Sequence, residues 1–345
     1  MAGIRKAGKG IVRRSLIAGA LGGALAFSAS APAFAQEEYL LSTASTGGTY
    51  YPVGVAIATL VKVRLQNAEG INMSAISSAG SGENVRLMRD NEVQFAILQG
   101  LFGAYAATGT GTLAAEGPQD NLRSMAMLWQ NVEHFVMRRG DAPTGTIDDI
   151  ANVKGRTVSM GLQNSGTIES NNVILTNLGY PLSEFDLAYM GYNPSADALQ
   201  NNQIAAMSTP GGVPVAGVAR AFAALGGDAV LLNFTDEQIE RANGDFVGLW
   251  TPFPIPAGTY PGQEADVITI GQPNFLAVNA DVPEDTVYKI TKAIFENLGF
   301  LQAIHPATNE MSLEVALNGL PMPLHPGALR YFEEAGLTIE DRLRP

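Results

Sequence analysis

Four short stretches place hydroxyls, amides and glycines where a strand gives way to a helix. They are STASTGGTYYP (Ser42 to Pro52), SSAGSGENV (Ser77 to Val85), GLQNSGTIES (Gly161 to Ser170) and STPGGVPVA (Ser208 to Ala216). Glycine lets a backbone N–H approach a bound group closely, and the hydroxyls of Ser45, Thr46 and Thr49 add short-range donors. A helix N-terminus offers unpaired N–H groups and about half a positive charge. One such turn is explained by capping alone, since Ser, Thr and Asn cap helices without any ligand. Four of them together argue for more, because the carboxyl ends of parallel strands border the crevice where ligands bind. The chemistry implied is capture of a small anion. Tyr50 and Tyr51 are neighbours on a helix and point about 100° apart, so at most one faces a ligand and the other belongs to the core.

Patterns for catalysis are missing. The sequence has no G-x-S-x-G elbow, no G-x-x-x-x-G-K-[ST] loop, no H-E-x-x-H, no G-x-G-x-x-G and no calcium loop. Of the three histidines, His134 sits in an apolar strand, His305 precedes a proline and His325 lies in PLHPGA; each reads as structural. Glu83 and Arg86 are three apart on a helix and can pair locally. No metal or cofactor is expected.

The elements that must carry these turns alternate. Strand-like runs occur at Tyr39 to Thr43, Asn72 to Ser77, Val93 to Leu98, Leu122 to Trp129 and Glu133 to Arg138. In Tyr50 to Leu65 the residues Val53, Ile57, Leu60, Val61 and Leu65 mark one buried helix face. Pro52 fits only in the first turn, so this helix starts near Gly48. A second series alternates strands at 157–160, 187–190, 205–208 and 229–233 with helices at 167–178, 194–200 and 215–225. It closes with a helix capped by Thr235 with Gln238 three positions on. The alternation predicts parallel α/β sheets. Prolines 252, 254, 256 and 261 then forbid helix and central strand, which leaves an extended crossing segment or surface loop. Strands near 267–270 and 275–278, a helix capped by Asp281 and a short helix at 326–335 complete the chain.

The first 35 residues read as an export signal. Arg5, Lys6, Lys9, Arg13 and Arg14 lead into the apolar run Leu16 to Phe27, and Ala33-Phe34-Ala35 forms an A-x-A cleavage site. RRSLI at residues 13–17 partly resembles a twin-arginine signal. Cleavage after Ala35 leaves about 310 residues, more than one core usually holds, and two lobes follow. It also removes five basic residues and no acidic one, taking 21 Lys+Arg against 33 Asp+Glu to 16 against 33, a formal charge of −17. Nucleic acid is thereby an unsuitable partner. The absence of cysteine rules out a lipid anchor on that residue and any disulfide.

The segments STGGTYYPVG, GSGENVRLM, NSGTIES and PLHPGALRYFEEAGL resemble the TAXI-type solute-binding receptors of TRAP transporters, over essentially the whole mature chain. The resemblance implies a type II periplasmic-binding fold, two α/β lobes with a ligand cleft between them. One lobe comprises residues 36–132 plus 251–345 and the other 133–250. It implies a monomeric periplasmic protein, not an enzyme, that delivers a small organic anion, glutamate-like or a dicarboxylate, to a TRAP membrane permease. By motif position the ligand residues are Thr46, Gly47, Gly48 and Tyr50; Ser81, Glu83 and Asn84; Asn164, Ser165, Gly166 and Thr167; and Gly211. A nearby Arg86 or Arg89 is a candidate helper. The sequence departs from the family at LQNSGT, where a proline-glycine pair is common, and at the extra Pro210. Two other functions fit the same fold: a periplasmic enzyme using Ser165 or Glu169, and a sensor docking on a membrane receptor.

Overall fold

The computed structural model describes residues 37–345. The expected leader and its cleavage site lie outside them. The chain opens with β1 (Glu37–Ser42), α1 (Tyr50–Glu69), β2 (Ile71–Ile76), α2 (Ser81–Arg89), β3 (Phe95–Gln99) and α3 (Gly100–Thr108). Val53, Ile57, Leu60 and Val61 of α1 are buried as their spacing requires, and Pro52 sits in its first turn. Gly70 ends α1 at φ 74°, a left-handed conformation that favours glycine, with its N–H bonded back to Gln66 O. β4 (Leu122–Val132) and β5 (Phe135–Arg138) lead from the first sheet into the second.

The second series holds β6 (Thr157–Val158), α4 (Gly166–Leu178), β7 (Asp186–Leu187), α5 (Tyr192–Gln200), β8 (Ala206–Ser208), α6 (Ala216–Leu225), β9 (Ala229–Leu231) and α7 (Asp236–Asn243). Thr235 and Gln238 form the anticipated capping box on α7. The chain returns through β10 (Thr251–Ile255) and β11 (Val267–Asn279), then α8 (Glu284–Phe295), α9 (Leu298–Gln302) and α10 (Pro326–Glu334).

The first sheet runs β10-β11-β3-β1-β2, with β4 also paired to β11. Only β1, β2 and β3 are mutually parallel; β11 runs antiparallel to β3, β4 and β10. In the second sheet β5 is antiparallel to both β8 and β9. β6 pairs with β7 in parallel, and a single parallel bridge, Ser159 to Met207, links them to β8. The expectation of parallel α/β sheets holds for β1 with β2 and β3 and for β6 with β7 and is corrected at β5 and β11, returning strands inserted among parallel ones. The prolines of β10 are tolerated because it is an edge strand, with Pro252 and Pro254 exposed. The two short strands expected at 267–278 are one strand of 13 residues, which continues through Pro273 by shifting register against β4. Asp281 does not cap α8. Pro283 holds the N-cap position, and a residue before proline, here Val282, is driven out of the helical region.

One apolar cluster joins Leu41, Ile57, Phe95, Trp129, Phe275 and Phe332 around the first sheet and extends to Ile150 and Leu175. A second joins Val136, Leu199, Met207, Val218 and Phe222, and includes Ile255, Tyr260 and Val267 from the β10–β11 hairpin. The hairpin therefore belongs by pairing to the first sheet and by its outer end to the second core.

Candidate functional site

The N-termini of α1, α2, α4 and α5 meet at one cleft between the two sheets, lined by Gly48 to Tyr50, Gly80 and Ser81, Ser165 to Thr167, and Gly191 with Tyr192. Its volume is about 460 Å³. Capping explains only one of these four termini. Ser165 Oγ accepts from Ile168 N at 3.1 Å and caps α4, whereas Thr49, Gly80 and Gly191 provide no side-chain cap to α1, α2 and α5. In the first turns of those three helices Glu83 N is taken by Asn164 O at 2.9 Å, and Pro52 and Pro194 carry no N–H. The remaining N–H groups of Tyr50, Tyr51, Ser81, Gly82, Tyr192 and Asn193 have no side-chain cap, the condition under which a helix end attracts an anion.

The polar side chains around the cleft form two networks. On the first sheet, the Tyr50 hydroxyl meets the side-chain amide of Asn274. That amide turns its oxygen to Trp129 Nε1 at 3.1 Å and Asn131 N at 3.3 Å, and its nitrogen to Tyr50. Ser81 Oγ accepts from Gln99 N at 3.1 Å, and Gln99 Nε2 crosses to Gly166 O at 3.0 Å and Ser170 Oγ at 2.8 Å. On the second sheet, Tyr192 donates to Pro210 O at 2.8 Å and lies 2.8 Å from Thr167 Oγ1. Burial pushes the phenols of Tyr50 and Tyr192 well above their ordinary range, so both keep their protons. Among the described residues, no Arg or Lys lines the cleft.

The lobes touch around this cleft. Gly217 N donates to Gly47 O at 3.1 Å, Glu83 N to Asn164 O at 2.9 Å and Thr49 Oγ1 to Gly212 O at 2.9 Å. Two glycines are required at these crossings. A Cβ on Gly47 would lie 2.7 Å from Asn193 Oδ1, and one on Gly82 2.5 Å from Asn164 O. The arrangement is that of a closed cleft.

Of the residues expected at the ligand, Gly48, Tyr50, Ser81, Ser165, Gly166 and Thr167 line this cleft. Thr46 is exposed and lies outside it, while Gly47 is buried at the lobe contact. Asn84 is consumed by packing: Oδ1 accepts from Ser42 and Ser78 at 2.6 Å each, and Nδ2 donates to Thr43 O and Ile97 O. Gly211 pairs with Val132 through two backbone bonds of 3.0 Å. Glu83 and Asn164 line a neighbouring recess with Arg86 and Arg89, and that recess shares Ala79 and Ser165 with the cleft. Both arginines are already paired, Arg86 with Glu83, Asp90 and Glu92, and Arg89 with Asp90 and Glu116. Tyr50 faces the cleft, but Tyr51 is half-exposed rather than core. Ser165 Oγ donates to Leu162 O at 2.7 Å and caps α4, which occupies it as a nucleophile, and Glu169 lies in the recess, bonded by Tyr105 at 3.1 Å.

Sequence reading missed Gln99, Asn131 and Tyr192 as cleft residues. Gln99 and Asn131 sit at or near strand ends, and GYNP repeats the glycine-then-helix composition of the other turns, so both signals were available. All three histidines are structural: His134 is buried between Val132 O and Tyr260 Oη, while His305 and His325 accept from Ala307 N and Gly327 N as helix caps.

The model of the NMT1-like family matches residues 41–336. A solved structure from Bordetella bronchiseptica RB50 aligns with TM-score 0.52 and 16% identity over 88% of this chain and 85% of its own. PhnD1 from Prochlorococcus marinus (MIT 9301), solved in complex with methylphosphonate, aligns with TM-score 0.51 and 12% identity over 79% of this chain and 90% of its own. At such identities the likeness concerns the fold, which is the two-lobed type II periplasmic-binding fold.

Proposed function

The chain belongs to the NMT1-like family, and on that membership together with its cleft we propose that it is a periplasmic solute-binding receptor that captures a small organic anion and hands it to a membrane permease. The observation that carries this reading is the convergence of four helix N-termini, three without side-chain caps, on a cleft furnished with hydroxyls and amides and no ionised side chain. Neutral, fixed donors suit reversible capture of an anion, because they hold it without the desolvation cost of a buried cation. The motif resemblance favours a TRAP permease of the TAXI type as the acceptor and a glutamate-like or dicarboxylate anion as the cargo.

Residues 36–132 with 251–345 form one lobe in this reading and 133–250 the other. Ligand closes them about the crossings at 131–133 and 250–256, the usual response of such clefts. The protein acts as a monomer without a cofactor. Mass spectrometry of small molecules released from purified protein, followed by calorimetry with the compound found, tests the proposal. Recovery of an intact organic anion that rebinds supports it; turnover of that compound, or recovery of a cation or an apolar compound, contradicts it.

A further inference from the structure

The hydroxyl protons around the cleft are not free to point either way, and their directions describe the ligand. Trp129 Nε1 and Asn131 N can only donate, so both require the Asn274 amide oxygen, and the Asn274 nitrogen is left facing Tyr50. Tyr50 Oη therefore accepts from Asn274, and its own proton must go elsewhere. Ser81 Oγ hydrogen-bonds with Tyr50 Oη and accepts from Gln99 N, so of the two hydroxyl protons one is spent between the pair and one is left for the cleft. On the opposite side the order is reversed. The carbonyl of Pro210 can only accept, which fixes the Tyr192 proton on it. Tyr192 Oη must then receive the Thr167 proton at 2.8 Å, and Thr167 Oγ1 faces the cleft with lone pairs and no proton to give. Thr167, a ligand residue by motif position, is thus an acceptor.

We propose that the cleft selects a ligand with two unlike ends: an anionic group that accepts the one free proton of the Tyr50–Ser81 pair, and a hydroxyl or ammonium that donates to Thr167 Oγ1. The inference rests on the anion-binding reading and narrows it, since a plain dicarboxylate carries no such donor when ionised. An acceptor set against Thr167 meets lone pairs and leaves that oxygen unpaired, which a buried site penalises. Asn274 and Pro210 act as positioning groups: Asn274 donates to Tyr50 and turns its proton away, and Pro210 holds the Tyr192 proton so that Thr167 must give up its own.

The test uses matched probes on the mature protein by calorimetry: glutarate, 2-hydroxyglutarate and glutamate; ethanesulfonate, 2-hydroxyethanesulfonate and 2-aminoethanesulfonate; methylphosphonate, hydroxymethylphosphonate and aminomethylphosphonate. Within whichever series binds, the hydroxyl or amino member is expected to bind at least about tenfold tighter than the unsubstituted one. In Thr167→Val that preference should shrink to about threefold or less, with circular dichroism confirming the fold. If the unsubstituted member binds as tightly as its substituted partners in the native protein, the inference is overturned and the anion reading stands. If no probe of any series binds, both are overturned.

Discussion

The Thr49 hydroxyl donates to the carbonyl oxygen of Gly212 at 2.9 Å, fastening the first turn of α1 to the loop that follows β8 in the other lobe. The bond is made only while the lobes are together. Thr49→Val should therefore weaken ligand affinity by about 2- to 12-fold, the equivalent of one neutral hydrogen bond of about 0.5–1.5 kcal/mol. X-ray scattering should also show the ligand-free variant more expanded than the native protein. An unchanged affinity and scattering profile would show that the bond does not help hold the lobes closed.

Thr46 and Asn84 separate motif position from function. Thr46 is exposed outside the cleft, so Thr46→Ala should leave affinity within about twofold, below the effect of one neutral hydrogen bond. Asn84 ties β1, the α2 turn and β3 together from full burial. Asn84→Ala should lower unfolding stability by about 1–3 kcal/mol for each partner left unpaired, while the folded fraction keeps its affinity. A large affinity loss in either variant at unchanged stability would restore it to the ligand site.

Stability should fall on both sides of a mildly acidic plateau. Glu133 is fully buried at the chain crossing, and burial pushes its carboxyl from 4.5 up to about 8, offset in part by the neighbouring Trp250 and Gln272. The folded state then holds a proton that the unfolded chain has lost, so this contribution is complete below about 4.5 and lost as pH rises toward 8. His134 has the opposite sign: burial lowers it from 6.5 to about 4, and its contribution is lost as pH falls through that range. Between about 4.5 and 6.5 the two slopes cancel, and from 6.5 to 8 Glu133 alone acts. Denaturant midpoints should show a decline above pH 6.5 of at most about 1.4 kcal/mol per pH unit for one proton. Burial also raises Glu169 and Glu310, whose contributions carry the same sign at the acidic side. Glu133→Gln should flatten the decline, and an identical slope in that variant would assign it elsewhere.

What the sequence disclosed follows from which physics is local. The α1 helix face, Pro52 in its first turn, the Thr235–Gln238 capping box and the turns opening α1, α2 and α4 all depend on neighbours within a few residues, and they stand as read. Strand direction does not. Alternation along Phe135–Arg138 is the same whichever way the strand runs, so the antiparallel insertion of β5 left no trace in its residues. Asn84 and Ser81 share one turn and comparable polarity, yet one is tied into the strands and the other lines the cleft. That choice is made by Ser42, Thr43 and Ile97, which only the fold brings near. Likewise the role of Thr167 as acceptor depends on Pro210, more than forty residues away in the chain.

The most direct measurement of the central claim is a calorimetric titration of Tyr50→Phe beside the native protein, using the compound recovered from native material. The variant keeps the ring packed against Trp129 and removes the hydroxyl of a residue that lines the cleft. Loss of a hydrogen bond to a charged group, about 1.5–3 kcal/mol, should weaken binding by about 10- to 150-fold. Native affinity in Tyr50→Phe would contradict the claim that neutral donors of this cleft hold the anion.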